Sequence, residues 1–559
     1  MMLPVNTRPT SSPSPLCPGK RLSRYIWMVL LLAGYAQADA ADWIYTVRQG
    51  DTLIGVSNSY LAHTRDWVKL QKINSVKNPR RLPPGLQLRI PVELLKLQQT
   101  VAEVVRVQGM AEVIHATGGA PLAIEAGTSL QAGDQIHTGS DSNLTLRFAD
   151  GSRLLVMANS RLTLVTMAAY GKSGVTDTRT RLQSGQVETQ VTPLRGPAAR
   201  YEIITPVIAV GVRGTDFRVS ADADINVSRS EVLHGEVAVQ GEGKLLPVPA
   251  GFGTLAEAGK PPSPPIALQK APDLSSVTTL LQRVPLRFKW AAMDGAAAYR
   301  AQVFADPDFQ NLLLDGTFKN NEAKWPDLPD GHYFLRVRAI GTQGLEGLNA
   351  EHAFTLKARP EPPFVSAPAN KGKLYGDQAQ FQWTKSEKAE TYHFQLAANP
   401  EFSGPIADLT SLKDLQHTAT LPPGDYYWRI SSRAVGEDEG PFSDVQTFTM
   451  KPIPVAATVP PPKIDSKHME FQWPAGEPGQ TYQFQLARDK DFKDILTDQT
   501  LTEPRITLAN PGGGEYFMRV KAIDVDGFAG PFGATQQIKV PHNIPWWLII
   551  PVLLFPLVP

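Results

Sequence analysis

The feature that most constrains this chain is a segment that occurs three times at nearly constant spacing. A Phe-x-Trp strand opens each copy at Phe288, Phe381 and Phe471, which are 93 and 90 residues apart. An acidic residue before Phe, a glycine and an arginine recur with the same two spacings, as Asp308-Phe309, Gly331 and Arg336, as Glu401-Phe402, Gly424 and Arg429, and as Asp491-Phe492, Gly514 and Arg519. Because the internal spacing is unchanged, the pattern predicts one compact domain in tandem over residues 264–358, 360–451 and 453–540.

Each copy alternates apolar and polar residues, as in YRAQVF, YHFQLA and YQFQLA, which predicts β-strands. A tryptophan in the opening strand and these short strands resemble fibronectin type III-like β-sandwiches. The repeated aromatic residues are interpreted as core positions rather than as platforms for sugar rings. Proline-rich joins at residues 359–363 and 460–462 are typical of stiff spacers.

Composition supports a mainly β protein of several domains. The 559 residues exceed what one core fills, so roughly three to five domains are expected. A hydrophobic content of 42% is too high for a disordered chain. Because 55 Lys and Arg balance 54 Asp and Glu, the totals predict no nucleic-acid partner.

The first 40 residues have the parts of a secretory signal peptide. Lys20, Arg21 and Arg24 form a basic segment, residues 26–33 are apolar, and small residues follow near residue 38. The alternative is an uncleaved membrane anchor, but the apolar run is short for a span. Cys17, the one cysteine of the sequence, precedes this run. The mature chain is therefore expected to reach the periplasm or cell envelope without thiols, disulfides or thiolate metal sites.

Residues 43–92 predict the order strand, helix, helix, strand. The stretch YTVRQGDTL leads from an extended start into a helical spacing, and LQKINSVKNPRRLPPGLQLRIP ends in an alternating strand. Together these stretches resemble a LysM domain. The resemblance implies a βααβ fold that binds glycans containing N-acetylglucosamine, above all peptidoglycan, in a shallow groove between two loops.

The resemblance places the glycan-binding residues in those two loops. The first wall is Gly50, Asp51, Thr52, Leu53 and Ile54, and the second wall is Ile73, Asn74, Ser75, Val76 and Asn78. Asp51 has an alternative interpretation as the N-cap of the first helix. The same segment holds eight basic and two acidic residues, a net charge of +6, which indicates either attraction to anionic wall polymers or a merely solvated basic face.

Residues 101–253 predict β-structure throughout. Leu144–Phe148 and Arg153–Val156 flank an Asp-Gly turn, which predicts a hairpin. The stretch TPVIAVGVRGTDFRVS resembles a FecR domain, whose known members carry signals across the inner membrane to a sigma factor. That resemblance implies a surface for an envelope protein partner. Arg213 is interpreted as part of a turn that needs its glycines, with an anion site as the alternative.

The chain ends in an uncharged segment, residues 544–559, that carries Trp546 and Trp547. Its length is slightly below that of a membrane span, and its three prolines disfavour a straight helix. Tryptophan pairs suit a membrane interface, so the tail is expected to contact a membrane. The alternative is a tail that is buried or bound to a partner.

The sequence shows no catalytic or metal-binding pattern. Its histidines are scattered without ligand spacing, and no G-x-S-x-G or Walker A segment occurs. We therefore expect a non-catalytic, cofactor-free envelope protein that binds peptidoglycan, with the β domains as scaffold and interaction modules. The alternatives are a periplasmic signal-transduction component and a carbohydrate-active enzyme with accessory β repeats.

Overall fold

The computed structural model describes residues 42–194, 196–455 and 458–542. The predicted signal peptide and hydrophobic tail lie outside these residues. The chain divides into two compact bodies, one ending at Lys357 and one beginning at Ala358. The first body holds the LysM-like unit (residues 42–96), the FecR-like unit, whose strands extend over residues 97–267, and repeat 1, whose strands begin at Leu280. The second body holds repeats 2 and 3. Both bodies are built mostly of strands, which confirms the predicted mainly β fold.

The LysM-like unit has the predicted order of elements. It consists of β1 (Asp42–Thr46), α1 (Leu53–Tyr60), a 3-10 turn (Thr64–Asp66), α2 (Trp67–Ile73) and β2 (Gln87–Pro91), and β1 pairs antiparallel with β2. Alternate residues of the strands and one face of each helix point inward, where Tyr45, Val56, Leu70, Leu88 and Ile90 are buried.

The FecR-like unit is a single closed sheet of short strands around one apolar core. Its strands are β3 (Leu97–Gln99), β4 (Ala102–Gln108), β5 (Ala111–Ile114), β6 (Leu122–Ala123), β7 (Ser129–Leu130), β8 (Gln135–Thr138), β9 (Asn143–Arg147), β10 (Arg153–Val156), β11 (Arg161–Tyr170), β12 (Thr176–Gln190), β13 (Arg200–Ile204), β14 (Ala209–Val212), β15 (Asp216–Asp222), β16 (Val227–His234), β17 (Glu236–Gly241), β18 (Lys244–Pro249), β19 (Phe252–Glu257) and β20 (Ile266–Ala267). The predicted hairpin is present, because β9 pairs antiparallel with β10 and Gly151 in the turn has φ +85°.

The turn at Arg213 and Gly214 has a structural role. Gly214 has φ +107°, and a Cβ at this position would lie 2.7 Å from the Cα of Pro193. The Arg213 guanidinium donates from Nη2 to the carbonyl oxygen of Pro197 at 2.7 Å. Both observations support the interpretation of this segment as a backbone turn.

Each repeat is built of two sheets. Repeat 1 contains β21 (Leu280–Leu281), β22 (Leu286–Lys289), β23 (Ala296–Phe304), β24 (Leu312–Phe318), β25 (Glu322–Trp325), β26 (Gly331–Gly341) and β27 (Ala350–Leu356). Repeat 2 contains β28 (Val365–Ala367), β29 (Gly372–Tyr375), β30 (Gln378–Trp383), β31 (Thr391–Ala397), β32 (Ala407–Leu412), β33 (Gln416–Thr420), β34 (Gly424–Arg433), β35 (Glu439–Phe442) and β36 (Gln446–Lys451). Repeat 3 contains β37 (Lys463–Ile464), β38 (His468–Gln472), β39 (Thr481–Ala487), β40 (Ile495–Leu501), β41 (Arg505–Ala509), β42 (Gly514–Ile523) and β43 (Gln536–Val540).

The repeated tryptophans lie in the cores of the sandwiches. Trp290, Trp383 and Trp473 are 2%, 3% and 3% exposed, and each packs edge-on against a tyrosine of the next strand. This burial confirms the interpretation of these aromatic residues as core positions, because a ring that is covered on both faces cannot stack on a sugar.

One glycine per repeat lets the preceding chain segment cross close to the sandwich. A Cβ atom on this glycine would clash with a backbone carbonyl oxygen of the preceding segment. The glycine and the residue that supplies the carbonyl are Gly347 and Gln269 in repeat 1, Gly440 and Pro360 in repeat 2, and Gly530 and Pro454 in repeat 3. The glycines keep the 93 and 90 spacing of the repeats. Each segment that leads into a repeat is therefore packed directly on the repeat that follows it.

Repeat 1 packs on the outer face of the FecR-like sheet. Leu155 and Met157 of the FecR-like unit form a small apolar cluster with Phe304 and Leu312 of repeat 1. The side-chain amide of Asn143 donates to the carbonyl oxygen of Leu312 at 3.3 Å. The FecR-like unit and repeat 1 thus share a packed interface within the first body.

A buried network of charges crosses this interface. The Glu346 carboxylate of repeat 1 accepts from Arg300 at 3.0 Å, from Arg218 of the FecR-like unit at 3.3 Å, and from Arg338. Arg338 also pairs with Glu188 of the FecR-like unit. Arg218 is fully buried, and its Nη2 donates to the carbonyl oxygen of Glu346 at 3.2 Å. A buried ion is stable only when it is paired, so the FecR-like unit and repeat 1 must keep the relative position in which these charges meet.

Candidate glycan-binding groove

The two predicted walls of the groove come together in the structure. The backbone N–H of Leu53, at the start of α1, donates to the carbonyl oxygen of Pro79 at 2.8 Å. Pro79 directly follows Asn78 of the second wall, so this bond joins the loop before α1 to the loop after α2. The two loops that carry the predicted walls are therefore hydrogen-bonded to each other, and the assignment of the individual residues to a glycan site stays a prediction.

Asp51 holds the first loop in shape. Its Oδ2 accepts the Tyr45 hydroxyl at 2.6 Å and the backbone N–H of Arg48 at 2.7 Å. Partial burial and the hydrogen bond to Asp51 raise the pKa of Tyr45 to about 12, so the hydroxyl stays protonated and donates. The N-cap of α1 is Thr52, whose Oγ1 accepts from the N–H of Gly55 at 3.0 Å. The alternative assignment of Asp51 as the N-cap is therefore wrong, because its carboxylate closes the preceding turn.

Asn74 holds the second loop against β2. Its Oδ1 accepts the backbone N–H of Arg89 at 2.7 Å, and its Nδ2 donates to the carbonyl oxygens of Arg89 and Leu70 at 2.8 and 3.0 Å. Both amide hydrogens of this side chain are thereby used within the fold. Ser75 follows with φ 51°, a left-handed conformation that turns the chain out of α2.

The groove residues differ in how much surface they offer. Leu53 is fully buried, so its side chain packs in the core and does not reach a bound ligand. Ile54 and Ile73 are 40% and 44% exposed, and they are the large apolar side chains of the two walls that face solvent. Val76 is half-buried in the core of the unit. The backbone N–H of Arg80 donates a hydrogen bond to the Oδ1 of Asn78 at 3.0 Å.

Unpaired basic side chains border the loops. Of the basic residues in the described part of this unit, Lys69 pairs with Asp66 at 3.0 Å and Arg89 pairs with Asp42 at 2.6 Å. Arg48, Arg80 and Arg81 make no ion pair among the described residues, and other exposed lysines and arginines are likewise unpaired: Arg65, Lys72 and Lys77. Arg80 and Arg81 follow Pro79 directly, so positive charge lies beside the groove.

The described residues hold no group of three or more His, Cys, Asp or Glu side chains placed to bind a metal ion. Over the same residues, every helix is too short or too polar to traverse a bilayer.

Comparison with known families identifies two of the units. Residues 45–91 match the LysM domain, and residues 134–238 match the FecR protein family. The chain carries a LysM domain and a FecR domain. Both families are binding or signalling domains rather than catalytic ones, and they are typical of bacterial envelope proteins. The LysM match indicates glycan binding, and the FecR match indicates a link to envelope signalling.

Two curated relatives are uncharacterized proteins. One, from Treponema pallidum, is 24% identical over 364 residues, which cover 59% of this chain and 50% of the relative. The other, from Deinococcus radiodurans, is 35% identical over 60 residues, which cover 11% of this chain and 24% of the relative. The matched regions thus span half the length of the first relative and about a quarter of the second.

Solved structures that resemble parts of this chain have low sequence identity to it and low TM-scores. The FN1–FN3 domains of chicken CNTN1 are 16% identical with a TM-score of 0.23, over 46% of this chain and 95% of theirs. The fibronectin(III)-like modules of Clostridium thermocellum CbhA are 14% identical with a TM-score of 0.21, over 32% and 93%. A putative anti-sigma factor from Parabacteroides distasonis is 12% identical with a TM-score of 0.21, over 33% and 84%.

Sequence reasoning missed a second concave site, which lies between the FecR domain and repeat 1. A difference between the repeats in the sequence indicates where this site lies. Repeats 2 and 3 have Gly-Pro-Phe at residues 440–442 and 530–532, whereas repeat 1 has Gly-Leu-Asn at residues 347–349. Asn349 of repeat 1 lines the concave site.

Proposed function

We propose that the protein is an exported component of the bacterial envelope that binds peptidoglycan through its LysM domain. The observation that supports this most is the hydrogen bond between Leu53 and Pro79, which joins the two loops beside the exposed side chains of Ile54 and Ile73. An acetamido sugar offers an amide and a methyl group. Backbone donors and acceptors suit the amide, and Ile54 and Ile73 suit the methyl group.

The remaining proposed contacts come from the same two loops. Gly50, Asp51 and Thr52 contribute backbone groups on one side, and Ser75 and Asn78 contribute on the other. Asp51 and Asn74 act by holding the loops, because their side chains are already bonded within the fold. A single shallow groove buries little of its ligand, so we expect weak binding that depends on many sites along the polymer.

The test is retention of the purified full chain on insoluble peptidoglycan at low salt. Replacing both Ile54 and Ile73 by Ser removes two exposed apolar contacts of about 1 kcal/mol each, so the affinity for peptidoglycan should fall roughly thirtyfold. Val68→Ser is the matched control, since Val68 is 42% exposed on α2 but belongs to neither wall. Failure of the wild type to bind would refute the proposal. Equal binding of the wild type, the double variant and Val68→Ser would show that Ile54 and Ile73 do not contact the glycan.

The FecR domain and the repeats are proposed to act as interaction and scaffold modules. The same proposal includes the domain limits predicted from the sequence, a signal peptide over the first 40 residues, and contact of the C-terminal tail with a membrane. The packed segments before each repeat support a spacer of defined geometry within each body.

A second candidate is a periplasmic signalling component, which the FecR match over residues 134–238 favours. Repeat 1 covers one face of the FecR domain, so a signalling partner would have to use another face. Deletion of the gene should then alter transcription of a sigma-factor regulon. An unchanged transcriptome would argue against this candidate.

A further inference from the structure

A cleft of about 220 Å³ lies between the FecR domain and repeat 1. Its FecR wall is a row of side chains on four neighbouring strands, β10, β12, β15 and β16. These side chains lie side by side because their residues are successive cross-strand partners in the sheet, in the order Arg153, Gln190, Asp216 and His234. The next row inward holds the buried charges that pair with repeat 1. The cleft is therefore the part of this face that repeat 1 leaves uncovered.

The opposite wall contains Arg336, which differs from its counterparts in the other repeats. Arg429 and Arg519 each donate from Nε to a glutamine, Gln395 at 2.8 Å and Gln485 at 2.7 Å. In repeat 1 the equivalent Gln302 accepts from Arg338 instead, at 2.8 Å. The Nε of Arg336 is buried without a hydrogen-bond partner among the described residues.

Arg336 also lacks one of the two aromatic rings that enclose its counterparts. Arg429 lies 4.2 Å from the ring centroids of both Phe402 and Phe442. Arg519 lies 3.9 and 4.2 Å from those of Phe492 and Phe532. Arg336 lies 3.8 Å from Phe309 and 5.2 Å from Phe304, and the sequence position that holds the second ring in the other repeats is Asn349, which lines the cleft. Repeat 1 thus carries a small polar side chain where the other repeats place a ring.

The cleft is lined by one basic and one acidic side chain that make no ion pair among the described residues, Arg153, which is half-buried, and Asp308, which is exposed. Arg153 belongs to the FecR wall and Asp308 to the wall of repeat 1. Asp216 pairs with His234 at 3.2 Å, and Glu351 pairs with Arg336 at 3.0 Å. A guanidinium binds a carboxylate, and a carboxylate binds an ammonium group, so the lining suits a ligand that carries both.

We propose that this cleft binds a small zwitterion, an amino acid or a dipeptide, with its carboxylate at Arg153 and its ammonium group at Asp308. The volume lies below the roughly 300 Å³ at which drug-sized pockets begin, which limits the ligand to this size. Because the two charges sit on different domains, the ligand bridges the FecR domain and repeat 1. The site is independent of the peptidoglycan groove.

The test is calorimetric titration of the full chain with glycylglycine, with acetate and methylammonium as single-charge probes. We expect saturable binding of glycylglycine, and at least tenfold weaker binding of either single-charge probe. Arg153→Gln and Asp308→Asn should each weaken glycylglycine binding at least tenfold. Arg153 is half-buried, Asp308 is exposed, and neither makes an ion pair among the described residues, so both variants should keep the fold.

Asn349→Phe is the sharpest variant, because it restores the ring that Phe442 and Phe532 supply in the other repeats. It should fill the cleft and abolish glycylglycine binding. Asn311→Ala, in the same repeat but outside the lining, is the control and should bind as the wild type does. The proposal is overturned if glycylglycine does not bind at millimolar concentration, if acetate binds equally well, or if Arg153→Gln and Asn349→Phe leave binding unchanged.

Discussion

Glu346→Gln should lower the free energy of unfolding of the first body by about 3–5 kcal/mol, the range for breaking a buried ion pair on one side. Three arginines, Arg218, Arg300 and Arg338, donate to this carboxylate. Burial by itself raises the pKa of Glu346, but Arg338, Arg300 and Arg218 together outweigh it and hold that pKa well below its usual range. The amide keeps the shape of the side chain and removes the charge, so the guanidinium groups are left buried with too few partners.

Hydrogen exchange of β12 and β15 measures this effect locally, because both strands carry partners of repeat 1. Glu103→Gln is the matched control. It removes one partner of the Glu103–Arg147 pair, whose side chains are 47% and 49% exposed, so it should change stability by no more than about 1 kcal/mol. Equal protection in the wild type and in Glu346→Gln would show that the network does not hold the two domains together.

Glu231→Gln should change how the stability of the first body depends on pH. Burial raises the pKa of Glu231 to about 7 from its ordinary value of 4.5, although Arg218 lowers it. Below pH 4.5 the carboxyl is protonated in both folded and unfolded chains and imposes no penalty. As the pH rises toward 7, the unfolded chain releases this proton while the folded chain retains it, so stability is lost. The loss is on the order of 3 kcal/mol at pH 8, and the glutamine variant should avoid it.

The measurement is urea unfolding of both proteins at pH 5 and pH 8. The variant should be more stable than the wild type at pH 8, and the difference should shrink at pH 5. The backbone N–H of Glu346 donates to Glu231 Oε1 at 3.2 Å, and the glutamine oxygen can accept the same bond. If the two proteins lose stability in parallel between these pH values, Glu231 is already ionised in the fold.

The two changes are coupled. Removing the Glu346 charge leaves the arginines with an excess of positive charge, which favours ionisation of Glu231. The double variant should therefore be less stable at pH 8 than the sum of the single changes predicts. That deviation measures the electrostatic interaction between the two carboxyl groups.

Much of the fold was predictable because its determinants are local. Alternating residues in β23, β31 and β39 indicated strands, and the repeat spacing indicated one domain present three times. The start of α1 was predicted one residue too early, because the sequence indicated Asp51 as a possible N-cap and the N-cap is Thr52. The Asp51 carboxylate is instead bonded to the Tyr45 hydroxyl and to the backbone N–H of Arg48.

The groove was predictable as two loops but not as a set of contacts. Sequence placed Leu53 and Ile54 together in one wall, yet Leu53 is buried and Ile54 is exposed. The roles of the individual glycan-binding residues stay predictions. Asn74 was assigned as a wall residue, and its amide is fully bonded to the backbone at Arg89 and Leu70. Such bonds join residues on different elements, which local periodicity does not report.

The sequence by itself determined the order of the domains, the tandem sandwiches and the two loops of the LysM groove, because spacing and alternation along the chain encode them. Only the tertiary structure decided which polar side chains are buried. Glu188, Arg218 and Glu231 occupy alternate, outward-facing positions that resemble the solvent face of any strand. Repeat 1 packs over them, so that Arg218 and Glu231 are buried and the Glu188 side chain is only 11% exposed. Arg218 contacts Glu346, which lies 128 residues further along the chain. Contacts between residues so far apart depend on how whole domains pack, which the pattern within either segment does not contain.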